Sequence, residues 1–295
     1  MVPNDSILES YHSWLDRQPL SQNTRIAYRR WVQQFLLYLN TYPHGYGDPL
    51  SESSARDYAV RDFKSHLKTI QHAQPTSVNL ALAALDHFYT QYLHRGAPHV
   101  VREELPHQAP RALSPDEQKR FLRAVQRQAN RRDQGIATLL FYTALRLSEC
   151  VQLNVDDVRI SERKGLVTVR MGKGNRYRTV PLNAGVRVVL QAWLDERRTR
   201  FPDTPELALF LTRRGTRCSM RSVDLVIRKI AHAAELTLSA HTLRHTCLTN
   251  LVRQGHDLVM VAELAGHKRL DTTRRYSLPS DEDRATAMEN LTREV

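Results

Sequence analysis

Cysteine is scarce in this chain, and its scarcity excludes two kinds of protein. Cys150, Cys218 and Cys247 are the only three among 295 residues. They are too few for a disulfide framework and lack the Cys-x-x-Cys spacing of a structural zinc site. Long hydrophobic runs are missing as well: the most apolar stretch, residues 135–145, falls far short of the roughly 20 residues that cross a bilayer. The opening MVPNDSILES has no basic segment followed by an apolar one, so a secretory signal is not expected. Eleven glycines and thirteen prolines are too few for a collagen-like or low-complexity architecture. Aromatic residues make up only 7%, which argues against a platform that stacks single-stranded bases. The expectation is a soluble, cytoplasmic globular protein.

What is present is arginine. Lys and Arg together number 43 against 31 Asp and Glu, a net charge of +12, and only seven of the basic residues are lysines. Residues 1–105 hold ten of each sign, so the whole excess lies in 106–295. Two readings fit: a solvated basic surface, or a polyanion partner such as DNA, whose phosphates the guanidinium fork grips with two bonds at once. An apolar fraction of 41% over this length supports cores for two domains.

The first hundred residues predict four short helices. Ile7, Leu8, Tyr11, Trp14 and Leu15 recur at helical spacing, then Tyr28, Trp31, Phe35, Tyr38 and Leu39, with Asn23 or Thr24 as cap. Tyr58, Phe63 and Leu67 mark a third helix, and Val78, Leu82, Leu85, Phe88 and Tyr92 a fourth after Pro75. Such stripes are core-forming, and a small helical bundle over 1–105 follows. Pro98, Pro106 and Pro110 lie in an aperiodic stretch between Gly96 and Leu113, and the linker is assigned to 106–113. Ser114-Pro115-Asp116-Glu117 then combines N-cap, N1 proline and an N3 glutamate, and opens a second domain over 114–295. Helices are predicted at 117–130, 134–142, 147–153, 185–199, 221–234, 242–254 and 258–265. Residues 166–170 and 177–182 form a hairpin around Gly172-Lys173-Gly174-Asn175. The fold class is mainly α with a small β-hairpin, an α+β architecture.

Single motifs carry little weight here, since His-x-x-Arg occurs twice, at His99 and His241, about as often as chance allows. An ordered series carries more. Thr143-Ala-Leu-Arg146-Leu-Ser-Glu149 is followed by Gly172-Lys173-Gly174-Asn175 and then by His241-Thr-Leu-Arg244-His245-Thr246. Leu264-Ala-Gly-His267 and Thr272-Thr-Arg-Arg-Tyr276 complete it. This series resembles the tyrosine recombinase (phage integrase) family, with a layout most similar to the Xer-type and transposon-resolution members. The first domain resembles the family's helical core-binding domain, with residues 21–28 similar to its opening helix. Departures are Ala144 for a usual Gly, Ala265 for Leu, Asn250 for His, and Ser277-Leu278 for Thr-His. None falls on a catalytic position.

The resemblance implies a catalytic set of Arg146, Lys173, His241, Arg244, His267 and Tyr276. Tyr276 would be the nucleophile, Lys173 the mobile general acid and His241 a proton handler or phosphate contact. His267 would be a further phosphate donor, and Glu149 would orient an arginine. The chemistry is sound independently: in-line attack on a phosphodiester builds charge on the non-bridging oxygens, and each aimed donor is worth about 100- to 1,000-fold. Arg176, Arg178, Arg213, Arg214, Arg217 and Arg221 are candidate DNA phosphate ligands. No cofactor is implied. His241 and His245, four apart, lack the third ligand and the glutamate of a zinc helix. The implied partners are double-stranded DNA with paired half-sites and further copies of the chain, joined as a homotetramer through a C-terminal helix at 280–291. The implied activity is site-specific strand exchange through a 3′-phosphotyrosyl link and a Holliday junction, in dimer or cointegrate resolution or in integration of a mobile element. A type IB topoisomerase and a non-catalytic DNA-binding regulator are the competing readings.

Overall fold

The computed structural model describes residues 4–42, 45, 47–105, 109–171, 176–267, 269–279, 288 and 289. The chain divides into two compact units, Met1–Pro106 and His107–Val295.

Among the described residues the first unit contains four α-helices: α1 (Asn4–Asp16), α2 (Gln22–Thr41), α3 (Ser53–Thr69) and α4 (Pro75–His87), the last running into a π-helical turn at Phe88–Tyr92. Most of the stripes point inward: Tyr11, Phe35, Phe63 and Phe88 are buried, as is Tyr89, which the spacing does not single out, whereas Tyr58 on α3 is exposed and does not join the core. Ser21, not Asn23 or Thr24, caps α2, because its hydroxyl accepts the Thr24 N–H at 3.1 Å. The segment after α4 is fastened to this unit. Asn79 bonds both the N–H and the carbonyl of Glu103 at 2.8 Å, while the Glu103 carboxylate meets Lys64 and Lys68.

The second unit is built around α6 (Arg131–Thr143), whose residues 135–141 are buried without a break. A helix apolar on every side belongs in the centre of a domain. Around it stand α5 (Pro115–Gln126), α7 (Leu147–Gln152), α8 (Ala184–Arg200), α9 (Met220–Ala233) and α10 (Ala240–Arg253), while α11 (Leu258–Ala265) packs on α10 and carries the short α12 (Leu270–Arg274). The capping box at Ser114 and Glu117 forms in both directions. Leu113, which the sequence places in the linker, is buried here and donates its N–H to Thr246 Oγ1 at 2.9 Å.

The hairpin is part of a three-stranded antiparallel sheet, β1 (Val158–Ile160), β2 (Gly165–Met171) and β3 (Arg176–Pro181), in that order. Val167, Val169 and Val180 form its buried face. Val169 stands opposite Arg178 in the register, so Arg178 shares the face of Val180, two residues on. Residues 172–175, with Lys173, lie outside the described residues, as do 280–287 and 290–295, where the C-terminal helix is expected. Among the described residues, no helix is long and apolar enough to cross a membrane.

Candidate active site

The C-terminal end of α11 organises the site. Helix ends leave carbonyls without backbone partners and carry partial negative charge, which guanidinium groups satisfy. Three consecutive carbonyls here each take a different arginine. Arg178 Nε donates to Leu264 O at 2.9 Å, Arg244 Nη2 to Ala265 O at 2.8 Å, and Arg146 Nη2 to Gly266 O at 3.1 Å. Gly266 closes the helix with φ +64, a left-handed conformation that suits glycine. The turn puts His267 beside the arginines, with its N–H on Ala262 O at 2.9 Å.

Glu149 clamps two of the three arginines. Its Oε2 accepts the Arg146 N–H at 2.8 Å and Arg178 Nη2 at 2.7 Å, and its Oε1 accepts Arg146 Nη1 at 2.8 Å and Arg178 Nη1 at 2.9 Å. Burial pushes this carboxyl up, but the hydrogen bonds from Arg178 and from the Arg146 N–H outweigh it and hold the group at about 2. The arginines differ in access: the Arg146 side chain is 40% exposed, that of Arg178 only 10%. Arg244 is buried. It also donates from Nη1 to the carbonyl of Ala144, a residue held left-handed at φ +51. Burial, and then Arg146, bring its guanidinium down to about 10, still fully charged at neutral pH.

His267 Nε2 lies 3.0 Å from Arg244 Nη2, and its Nδ1 lies 2.8 Å from Thr273 Oγ1. A guanidinium only donates, so Nε2 accepts and the ring proton sits on Nδ1. Tyr276, in the 3-10 turn Arg275–Ser277, is 6% exposed and packs with Ala144, Cys247, Leu248, Val261 and Ala265. Its ring lies parallel to His267 with centroids 6.2 Å apart, and its hydroxyl meets His245 Nδ1 at 2.9 Å. The His245 ring in turn meets that of His241 edge to face, centroids 4.1 Å apart. His241 itself is exposed on the first turn of α10. Burial raises the Tyr276 phenol, while Arg244, Arg275 and Arg146 pull it back.

Arg146, Glu149, His241, Arg244, His267 and Tyr276 are thus brought together. Arg178 joins them, but not as the surface phosphate ligand that was expected: all three of its nitrogens are committed to protein acceptors. Arg217 departs from the expectation in the same way. It ties down Val151 O, Leu153 O, Asn154 Oδ1 and Glu206 Oε1. Arg213, Arg214 and Arg221 are exposed, as phosphate ligands must be. Three contributors escape sequence reasoning: His245, Arg275 and Thr273. Among the described residues, no three His, Cys, Asp or Glu side chains stand together as a metal site.

Two half-buried histidines make stability depend on pH. His245 and His267 are each brought down to about 4, the first by burial and then by His241 and Arg275, the second by burial and then by Arg244 and Arg146. Unfolded, each titrates near 6.5. Between about pH 6.5 and 4 the unfolded chain therefore binds more protons, and stability falls as pH falls through that window. Each histidine contributes roughly 1 kcal/mol once its partial exposure is allowed for. Glu149 acts lower: its contribution is complete above about pH 4.5 and is lost as pH approaches 2. Thermal unfolding of the unmodified chain should drop on acidification from pH 7 to 4.5, and His267→Gln should flatten that slope. Identical slopes in the two proteins would contradict this account.

A tyrosine hydroxyl bonded to one histidine, close to a second and within the field of three arginines, thus sits in a helical domain with one small sheet. The sequence profile of the phage integrase family matches residues 111–283, and that of the family's N-terminal SAM-like domain matches 7–98. The tyrosine recombinase XerA of Thermococcus kodakarensis is 30% identical over 278 residues, covering 93% of this chain and 91% of that protein. A crystal structure of XerA recombinase superposes with TM-score 0.56 at 26% identity, covering 98% of both chains. The XerH site-specific recombinase bound to its difH substrate before cleavage has the same fold, with TM-score 0.70 at 20% identity, covering 90% of this chain and 78% of that one. The chain belongs to the phage integrase family and is a site-specific tyrosine recombinase.

Proposed function

We propose that Tyr276 attacks a DNA phosphodiester, forming a 3′-phosphotyrosyl link and releasing a 5′-hydroxyl; the 5′-hydroxyl of a partner strand later attacks that link and frees Tyr276. The observation that carries this reading is the placement of the Tyr276 ring against His267 and Arg244, which itself neighbours Arg146. A phenol with pKa about 10 is only about one-thousandth ionised at pH 7, and burial makes that worse. Three arginines oppose the penalty at Tyr276, and the covalent ester keeps the bond energy for rejoining. Arg146, the more open guanidinium, and Arg244, with three of its five N–H groups engaged by described residues, would hold the non-bridging oxygens. Lys173 would protonate the leaving oxygen. His241 and His267 would complete the phosphate pocket, the latter by exchanging its Arg244 contact for the substrate. Glu149 and Arg178 act as positioning residues through Arg146 and the end of α11.

The partner is double-stranded DNA carrying paired half-sites, exchanged one strand at a time through a Holliday junction. Arg176, Arg213, Arg214 and Arg221 would contact its phosphates and fix register without reading sequence. The experiment uses a library of nicked duplexes with randomised sequence. Species that resist SDS are isolated, the trapped DNA is sequenced, and the modified peptide is mapped. An adduct at Tyr276 on recurring inverted half-sites, followed by exchange between two such duplexes, supports a recombinase. Relaxation without exchange favours a topoisomerase, and binding without any adduct favours a regulator.

Residues 280–291 would dock onto a neighbouring copy and link a cyclic tetramer. Their sequence offers Ser280 as cap, acids in the first turn, and Ala285, Met288 and Leu291 as a narrow apolar stripe. Deleting 280–295 is expected to weaken cooperative assembly on paired sites more than binding to a single half-site. Equal loss of both, read by gel mobility, would argue that the segment folds back on its own domain.

A further inference from the structure

The nucleophile needs somewhere to send its proton, and the site offers one acceptor at the right place. Among the described residues the hydroxyl of Tyr276 has a single hydrogen-bond partner, His245 Nδ1 at 2.9 Å. The side chain of His241, to which the family resemblance gives proton handling, makes no hydrogen bond among the described residues and meets the His245 ring in a T-shaped contact instead. We infer that His245 is a catalytic residue: its Nδ1 accepts the phenolic proton of Tyr276 as Oη attacks phosphorus and returns it when Tyr276 leaves.

This rests on the reading of Tyr276 as nucleophile. In cleavage the Oη–H bond breaks and its proton passes to Nδ1. The Oη–P bond forms as the P–O5′ bond breaks, and the departing oxygen takes a proton from a separate donor, Lys173 in that reading. Rejoining runs backwards: the 5′-hydroxyl returns its proton to that same donor, now deprotonated, as it attacks, the Oη–P bond breaks, and the imidazolium protonates the phenolate. The surroundings suit an acceptor. His241 on the same helix, Arg244 beneath, Arg275 on the nucleophile's own turn and His267 across the site all face His245, and burial with these neighbours keeps the ring neutral. In the neutral tautomer protonated at Nε2, the Nδ1 lone pair is the one that faces the phenol at 2.9 Å. Complete transfer from a phenol to so weak a base is far uphill at rest, so transfer accompanies attack. A phosphodiester bound among the same arginines cancels part of their field and raises the basicity of the ring when it is needed.

The test is single-turnover cleavage of the nicked duplex recovered in the capture experiment, with the full chain and with His245→Ala and His245→Asn, alongside binding to one half-site. His245→Ala is expected to slow adduct formation, and rejoining from a preformed adduct, by about 100-fold, with binding within twofold. Asparagine places a carboxamide oxygen near Nδ1 and can orient the phenol but cannot take its proton, so His245→Asn should remain at least about tenfold slow at every pH from 6 to 9. Adduct formation by His245→Ala within threefold of the unmodified chain overturns the inference and leaves the nucleophile reading intact. Full rescue by asparagine overturns proton acceptance and leaves orientation alone. No adduct from the unmodified chain overturns both. A DNA-free measurement covers the case in which a variant fails to fold. The Nδ1 resonance of His245 in ¹⁵N-histidine-labelled protein should shift on Tyr276→Phe, and an unchanged resonance also sinks the proposal.

Discussion

Tyr276→Phe is expected to abolish the SDS-resistant DNA adduct while leaving the fold and the affinity for a half-site nearly unchanged. The two outcomes separate because ring and hydroxyl do different jobs. The ring fills the cluster formed by Ala144, Cys247, Leu248, Val261 and Ala265 and lies parallel to His267, and phenylalanine keeps all of that. What disappears is one hydrogen bond to a half-buried imidazole, worth about 1 kcal/mol net. For a domain of this size that is a shift of roughly 2–4 °C in Tm. The chemical loss has no such floor, since without Oη there is no atom to form the ester. Residual adduct in Tyr276→Phe, mapped to any other residue, would remove the central step of the mechanism. A collapse in stability by more than several degrees would instead mean that the hydroxyl holds the site together.

The fold was legible wherever periodicity was long enough to be read. The aromatic stripes of α2 and α4, the capping box at Ser114 and the alternation of β2 and β3 all correspond to elements at nearly the expected places. Short elements escaped. β1 has three residues and α12 five, below the length at which either period shows. The cap of α2 was misplaced because Ser21, Asn23 and Thr24 all carry capping side chains, and only geometry selects the one three residues before a free N–H. For the site, no single motif sufficed, because Arg146, Arg178, Arg244, His267 and Tyr276 come from five separated segments. The ordered series of blocks was the usable signal.

Arg178 shows information that was present but unused. Two residues from Val180 on a half-buried strand, it had to face the interior, and a buried guanidinium needs a carboxylate such as Glu149. The three carbonyls at the end of α11 left no trace, since backbone acceptors have no residue type. His245 was hidden differently. In the sequence it was weighed only with His241 as a metal pair, which the missing third ligand argues against, and its actual partner lies 31 residues away in a turn that no periodicity predicts.

The largest combined loss of rate and stability is expected at Arg244. This guanidinium is buried and joins three parts of the second unit: the carbonyl of Ala144 after α6, the carbonyl of Ala265 at the end of α11, and the ring of His267. Truncation to alanine strands two buried carbonyls and leaves His267 Nε2 without its donor. An unsatisfied buried group costs about 1–3 kcal/mol, and partial hydration of the vacated space keeps the sum near 2–4 kcal/mol. That corresponds to a fall of roughly 5–15 °C in Tm. Removing a donor aimed at a developing negative charge costs a further 100- to 1,000-fold in cleavage, about 3–4 kcal/mol of barrier. Arg244→Lys separates charge from geometry. An ammonium keeps the positive charge but cannot span both carbonyls and the imidazole with a planar fork, so cleavage should stay at least about 100-fold slow while stability recovers in part. Single-turnover adduct formation, measured at a temperature where each variant remains folded, distinguishes the two losses. If lysine restored cleavage to within tenfold, charge alone would suffice at this position. The carbonyls of Ala144 and Ala265 would then be incidental neighbours of Arg244 and would not set its aim.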